Sequence, residues 1–145
     1  MAVSAFLYDN FAKKQLDGSA PVVWSSDTIK VALLSNAHTP NQATHDFFDD
    51  VSANEITGTG YTAGGATLAS KTSAVTSHTA ALDAADTQWT GSTLTARYAV
   101  IYQSTGTAST SKLIGLVDFG ADVSTTSGTF TITWAAAGIA TFNVT

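Results

Sequence analysis

One stretch of the chain, HTPNQATHDFFDD at positions 38–50, gathers side chains that could hold a metal ion. They are His38, His45, Asp46, Asp49 and Asp50. Imidazole nitrogens suit zinc and carboxylate oxygens suit calcium. However, an EF-hand loop beginning at Asp46 would need glycine and glutamate where Val51 and Thr57 stand, and the zinc motif H-E-x-x-H does not occur. The pattern therefore favours an acidic, solvated helix or loop, and it predicts no metal ligand.

A second stretch, EITGTGYTAGGATL at positions 55–68, suggests a phosphate-binding loop because it is rich in glycine. In a dinucleotide fingerprint, G-x-G-x-x-G opens a helix whose N-terminus binds the pyrophosphate. Here the third glycine, Gly64, falls one place late, and the following ATLASKTSAV alternates like a strand. The Gly-Lys-Ser/Thr of a Walker loop is also missing. The glycines are therefore interpreted as turn or bulge residues at the start of a strand, and no cofactor is predicted.

The spacing of nucleophilic, acidic and basic residues in the sequence does not support a catalytic function. No G-x-S-x-G elbow occurs, and the three histidines lie in loop-like sequence rich in Thr and Asp. No spacing specifies a catalytic triad or a carboxylate pair, so we predict a protein that is not an enzyme and has no catalytic residues. Trp24, Trp89 and Trp134 could form a sugar-stacking platform, but their scatter along predicted strands favours core or subunit-contact positions.

The charge of the chain limits the partners it can bind. Its formal net charge is −5, and its six Lys and Arg residues are scattered, so it offers no basic stripe for nucleic acid or for an anionic membrane surface. The absence of cysteine excludes disulfides, thiolate catalysis and Cys-ligated zinc. In the N-terminal MAVSAFLYDNFAKK the lysines follow the apolar residues, which is the reverse of a signal peptide, so a soluble protein made in a cytosol is expected.

The elements that must position these residues are mostly strands. Strands are predicted at 28–35, 67–74, 80–82, 94–103, 113–119, 129–134 and 139–144. Residues 97–102 carry apolar side chains on both faces, which indicates a central strand covered on two sides. Residues 129–134 alternate strictly between threonine and apolar side chains, which indicates one buried and one solvated face.

Two helical segments are predicted beside the strands. Ser4 is placed as the N-cap of a helix that ends at Gly18. Its apolar face comprises Leu7, Tyr8, Phe11 and Leu16. Because a helix this short is unstable alone, it must dock on its own domain or on a neighbouring subunit. Thr39-Pro40 is typical of a helix start, which predicts one or two helical turns over 40–50.

Length and pattern together predict the fold class. The 145 residues suit a single β-rich domain, 1–145, with a helical arm at 1–18 and a β-domain at 19–145. Many short strands separated by turn residues predict an antiparallel β-sandwich or a jelly-roll-like domain. This fold carries the short N-terminal helix and the short helical segment near 40–50.

Several motifs in order give the chain a resemblance to a family of small virion proteins of tailed bacteriophages. They are LYDNF, SDTIKVALLSNAHTPNQATHDFFDDVSANEITGTGYTAGGATL, TLTARYAVIYQSTG, LIGLVDFG and GTFTITWAAAGI, and together they span nearly the whole chain. The resemblance implies a head decoration, or cement, protein: a β-rich subunit, commonly a homotrimer, on the capsid exterior. Its partner would be the major capsid protein, and it would be synthesised in the host cytoplasm.

Under this reading, exposed aromatic and aliphatic side chains would contact the capsid or a neighbouring subunit. The candidate contact residues are Phe6, Leu7, Tyr8, Phe11, Phe47 and Phe48. If the N-terminal helix is the docking element, removal of residues 1–18 should abolish binding and leave the β-domain folded. Two alternatives stay open: a tail or head–tail connector subunit, and a carbohydrate- or host-binding module.

Overall fold

The computed structural model describes residues 2–144, and most of its regular structure is antiparallel strand. The strands are β1 Ser4–Leu7, β2 Ile29–Leu34, β3 Ala66–Thr67, β4 Thr72–Thr76, β5 Thr79–Asp83, β6 Thr87–Gln103, β7 Leu113–Ile132 and β8 Ala140–Asn143. The helix α1 spans Asp9–Asp17, and single 3₁₀ turns lie at Phe48–Asp50, Ser52–Asn54 and Ala108–Thr110.

The strands form two sheets, so the predicted mainly β, antiparallel, sandwich-like domain is confirmed. The larger sheet has the strand order β1-β7-β6-β2-β3, and the smaller has the order β4-β5-β8. Strand β6 lies between β7 and β2, which agrees with the central strand predicted from its two apolar faces. Its residues 98–102 are all buried, because side chains on both of its faces enter the core.

The longest unit of the fold is the β6–β7 hairpin. Its pairing runs from Thr87 opposite Ile132 to Tyr102 opposite Leu113. Several register shifts interrupt the ladder, including one between Trp89 and Ser92, and such bulges increase the local twist of a strand pair. The strands predicted separately at 113–119 and 129–134 are thus two parts of one strand, β7.

The N-terminal segment differs from its prediction, because Ser4 does not cap a helix. Residues Ser4–Leu7 form the edge strand β1, paired with β7 in a register that sets Leu7 opposite Gly115. A Cβ on Gly115 would lie 2.9 Å from the Phe6 carbonyl oxygen, so glycine permits this close approach. Pairing with a distant strand therefore outweighs the local helical pattern, and α1 begins only at Asp9. Its end at Gly18, with φ +66°, is as predicted.

The helix α1 docks on its own domain and does not form a separate arm. Phe11 is buried in the core, and so is Tyr8 immediately before the helix. Leu16, which was expected on the same apolar face, is instead 89% exposed. The Gln15 side chain donates a hydrogen bond to the Val22 carbonyl oxygen and accepts one from the Val22 amide, which fastens the helix to the segment that follows it.

The segment at 40–50 was expected to be helical and is mostly not. Only Phe48–Asp50 forms a 3₁₀ turn. Two backbone hydrogen bonds draw the segment toward β7: the Phe48 amide donates to the Ser111 carbonyl oxygen, and the Leu113 amide donates to the Asp46 carbonyl oxygen. These long-range bonds use backbone groups that a helix would need for its own ladder.

The strand expected at 67–74 is divided between the two sheets. Residue Ser70 has φ +52°, and this turn separates β3 in the larger sheet from β4 in the smaller one. The left-handed conformation is uncommon outside glycine, and here it marks Ser70 as the turn residue between the strands of the two sheets. The remaining strand predictions, at 28–35, 80–82, 94–103 and 139–144, match β2, β5, part of β6 and β8.

The glycine-rich stretch serves packing and turns, as predicted. Gly60, Gly64 and Gly65 have positive φ values, and β3 starts directly after them. At Gly65 the backbone passes so close to β2 that an added Cβ would lie 1.9 Å from the Val31 carbonyl oxygen. The Glu55 carboxylate accepts hydrogen bonds of 2.6 Å from the Tyr61 hydroxyl and the Gly64 amide, which holds the stretch against the sheet.

Candidate functional site

Three of the six candidate contact residues lie in the core. Tyr8, Phe11 and Phe48 are buried. The Phe48 ring stacks on the Tyr102 ring with a centroid separation of 4.2 Å. These aromatic side chains stabilise the domain itself, so they do not provide an exposed surface for a partner.

The other three candidates, Phe6, Leu7 and Phe47, are partly exposed. The Lys14 ammonium group lies 4.2 Å from the centroid of the Phe47 ring and also forms an ion pair with Asp46. The Phe47 loop is therefore held against α1 by a cation–π contact and a charge pair. Phe6 packs edge-on against Tyr8 at 5.3 Å, so part of this ring is also occupied within the domain.

A more exposed apolar surface lies on the smaller sheet. Val75 of β4 and Phe142 of β8 are both in register with Ala80 of β5, so all three side chains share one face. Val75 is 74% exposed, Phe142 is 40% exposed, and Val144, just beyond β8, is 68% exposed. We call Val75, Phe142 and Val144 the hairpin row. The sequence did not reveal it, because a valine in a Thr- and Ser-rich strand gives no sign of which face is covered.

A second apolar surface follows the open edge of the larger sheet. β1 is the outermost strand there, so its outer backbone groups have no strand partner within residues 2–144. Beside it lies a groove of about 430 Å³, whose lining includes Val3 and Ala5 at the N-terminal end of the chain and Phe119, Trp134 and Ile139 from later segments. A neighbouring groove of about 230 Å³ shares Ala5 and Ile139 and reaches β8. The apolar surface therefore extends from the edge of the larger sheet to the start of β8, the strand that carries Phe142.

The tryptophans do not form an exposed sugar-stacking platform. Trp24 and Trp89 are buried in the core, which confirms that core positions were the better interpretation for them. The Trp24 indole donates a hydrogen bond to the Asp83 carbonyl oxygen at 3.2 Å. Trp134 is partly buried at the edge groove.

A cluster of two imidazoles and two phenols occupies the space between the segment at 38–45 and the large sheet. The ring centroids of His38 and His45 are 5.6 Å apart, those of His45 and Tyr8 are 6.4 Å apart, and those of His38 and Tyr98 are 5.6 Å apart. The expectation that His38 belongs to a solvated loop is wrong, because its side chain is only 4% exposed. Burial lowers the pKa of His38, and the nearby His45 acts in the same direction.

This burial predicts an acid-sensitive contribution to stability. Because the folded-state pKa of His38 lies below its ordinary value of 6.5, the unfolded chain binds more protons between these two values. The stabilisation is therefore complete above about pH 6.5 and is lost as the pH falls through the folded-state pKa. Urea denaturation between pH 7.5 and 5 measures the decline, and we expect a smaller decline in His38→Gln.

The matched control is His78→Gln, since His78 is exposed at the β4–β5 turn. This variant should keep the decline of the unmodified protein. An equal decline in His38→Gln and the unmodified protein would show that burial of this imidazole has no part in the acid response.

Comparisons of the chain with protein-family models, with curated proteins and with solved structures found no significant match. In residues 2–144, no helix combines the length and the apolar character needed to cross a membrane. In that same range, no three His, Cys, Asp or Glu side chains form a group that could hold a metal ion. The two apolar surfaces and the histidine cluster are therefore the features from which a function can be inferred.

Proposed function

We propose that the chain is a non-enzymatic structural protein of a tailed-bacteriophage virion. In this role it decorates the capsid exterior and stabilises it by bridging neighbouring capsomers, as a cement protein does. Its partners are the major capsid protein and further copies of itself, in a homotrimer. The sequence resemblance to small virion proteins supports the class, and the exposed apolar surfaces support a role in protein assembly.

The observation that carries this proposal is the hairpin row. A contiguous apolar surface on a soluble β-domain is a candidate protein interface, since single exposed apolar residues are normal but adjacent ones are not. Val75 and Phe142 flank Ala80 of β5 on one face of the three-stranded sheet, so the three apolar side chains form a row across it. Burial of such a surface stabilises a complex by about 25 cal/mol per Å² of apolar area.

Few charges and closed symmetry suit this role. Only 12% of residues are charged, against roughly 25% in a typical domain, so little charge has to be desolvated at an interface. A trimer presents three copies of the same surface, and simultaneous engagement raises the overall affinity by about 10²–10⁴ over a single contact.

The copy number in purified virions tests the proposal. We expect quantitative mass spectrometry to find this protein near parity with the major capsid protein, because a decoration protein covers the head lattice. A ratio many-fold lower would overturn the cement role in favour of a tail or connector subunit. Complete absence from the particle would overturn a virion role altogether.

A substitution in the hairpin row tests the surface itself. We expect Val75→Lys to lower the affinity for capsids by about ten-fold or more, because a buried lysine must lose its hydration. The matched control is Leu16→Lys, which adds the same charge at a position that is 89% exposed on α1. Capsid co-sedimentation and analytical ultracentrifugation measure binding and trimer formation. Equal behaviour of the two variants would show that the hairpin row is not the contact surface.

A further inference from the structure

The register of β1 on β7 determines which backbone groups of this edge strand point away from the sheet. The Tyr8 amide donates a hydrogen bond to the Ile114 carbonyl oxygen at 3.0 Å, so Tyr8 is a position bonded to the β7 side. In an antiparallel pair, such positions alternate with positions whose N–H and C=O point away from the partner strand. The outward positions of β1 and of the residue before it are therefore Val3, Ala5 and Leu7.

The outward groups form a short free run centred on Ala5. The Leu7 carbonyl oxygen accepts a hydrogen bond of 2.9 Å from the Gln42 side chain, which agrees with its outward direction. Within residues 2–144, the amides of Ala5 and Leu7 and the carbonyl oxygens of Val3 and Ala5 have no hydrogen-bond partner. These donors and acceptors lie at the surface and are free to pair with another strand.

Nothing in the sequence of β1 protects this edge against pairing. Edge strands are commonly blocked by a charged residue, a proline or a bulge. Residues 2–7 read AVSAFL and contain neither charge nor proline, and the β1–β7 pairing has no register shift. The opposite edge of the same sheet is protected by its shortness, because β3 comprises only Ala66–Thr67. The edge at β1 is therefore the side on which the larger sheet can be extended.

The free groups of this edge are complementary to those of a second copy. A twofold axis at Ala5 sets a second β1 antiparallel to the first, with Ala5 opposite the partner's Ala5 and Leu7 opposite the partner's Val3. Each Ala5 amide then donates to the partner's Ala5 carbonyl oxygen, and each Leu7 amide donates to the partner's Val3 carbonyl oxygen. The pairing gives about four hydrogen bonds, and none of them uses the Leu7 carbonyl oxygen that Gln42 occupies.

The side chains of the outward positions are also suited to such a contact. Val3 and Ala5 line the groove of about 430 Å³, and Leu7 lines the neighbouring one, so all three lie on the apolar face of the edge. Val3 is 65% exposed. A second β1 places the same three side chains beside them, and the two copies cover apolar surface on each other.

Charge favours this edge as the contact between copies. Each copy carries a formal net charge of −5, so two copies repel one another through acidic surfaces. The strand β1 brings no charge into the contact. Asp118, which is in register with Ser4, is already paired with Arg97 through a bond of 2.6 Å. Two copies can therefore meet here without an unpaired charge on either paired strand.

We propose that β1 pairs with β1 of a second copy across a twofold axis at Ala5, which joins two larger sheets into one continuous sheet. The contact goes beyond the proposed threefold assembly and does not depend on it, because it joins either two single copies or one trimer to the next. It is a small contact and therefore weak in solution, but it is strengthened wherever many copies are held side by side.

Sedimentation velocity of the full-length protein, from about 1 μM to about 1 mM, tests the contact. We expect the molecular mass to double with increasing concentration, with a dissociation constant of about 10–500 μM. Ala5→Pro should weaken this association at least ten-fold, because proline removes the outward amide and leaves the bonds to β7 intact. Ala5→Lys, which places a charge at the axis, should have the same effect. Leu16→Lys, with the same charge on exposed α1, should associate like the unmodified protein.

A cysteine at the axis gives a second readout, since the chain has no cysteine of its own. Paired Ala5 residues should have Cα atoms roughly 5.5 Å apart, which a disulfide can span. Mild oxidation should therefore link Ala5→Cys into dimers at least ten-fold faster than Leu16→Cys, whose side chain is at a position 89% exposed. Equal rates for the two variants would show that β1 does not meet β1.

Amide hydrogen exchange identifies the strand that becomes covered. The amides of Ala5 and Leu7 should gain protection as the concentration rises, whereas the Tyr8 amide, already bonded to β7, should not change. A constant mass up to about 1 mM would overturn the self-pairing and leave the edge to a strand of another protein. Undiminished association of Ala5→Pro would also overturn it and place the contact on another surface.

Discussion

Replacement of Gly65 by alanine is expected to lower the free energy of unfolding by about 3 kcal/mol or more. A Cβ at this position would lie 1.9 Å from the Val31 carbonyl oxygen and 2.7 Å from the Ala32 Cα, and neither backbone atom can move without shifting β2. The φ of +78° adds strain for any residue with a side chain. Urea denaturation followed by tryptophan fluorescence measures the loss.

The matched control for this prediction is Gly106→Ala. Gly106 has a similar φ of +87°, but no atom lies within 4 Å of an added Cβ. Only the backbone strain remains, and we expect a loss of about 1 kcal/mol. Equal losses of unfolding free energy in Gly65→Ala and Gly106→Ala would mean that the glycine-rich stretch does not approach β2 this closely.

Replacement of Phe11 by alanine is expected to destabilise the domain by about 3–5 kcal/mol, the usual effect of removing a buried phenylalanine side chain. Phe11 is the buried residue of α1, and it joins the main core cluster. In the same helix Leu16 is 89% exposed, so Leu16→Ala should change stability by less than about 0.5 kcal/mol. Thermal and urea unfolding of both variants measure the difference. Similar stabilities for the two variants would show that α1 is not packed on the core.

Because this N-terminal segment packs on the core, we no longer expect removal of residues 1–18 to leave the β-domain folded. Without this segment, β7 loses the strand at its edge, and the core loses Tyr8 and Phe11. We therefore expect the shortened chain to unfold, so a loss of capsid binding in that variant would not identify a docking element. The point substitution Val75→Lys, on an exposed side chain, is the informative test of a contact surface.

The sequence predicted those elements whose signal is local. The mostly apolar run at 28–35 located β2, the alternation of threonine and apolar residues located the last part of β7, and glycine marked the end of α1. The glycine-rich stretch could be assigned to turns because both nucleotide-binding motifs failed at identifiable positions. In each case the deciding information lies within a few neighbouring residues.

The elements that were missed depend on distant partners. Ser4–Leu7 has a helical pattern, yet it pairs with β7 because that strand presents a free edge and a glycine. The segment at 40–50 loses its helix to backbone bonds with residues 111–113. Three of the six candidate contacts are buried for a related reason: aromatic residues such as Tyr8 and Phe48 mark a core and an interface equally well, and only the tertiary structure decides between them.

The pairing of β1 with β7 also constrains how the chain can be made. Ser4 pairs in register with Asp118, more than one hundred residues later. At roughly 5–20 residues per second, translation leaves β1 without its partner for many seconds after it emerges from the ribosome. Folds dominated by such distant pairings then need about milliseconds to seconds to form. The larger sheet is therefore completed only at the end of synthesis, and until then Phe6, Leu7 and Tyr8 are exposed to aggregation or to chaperones.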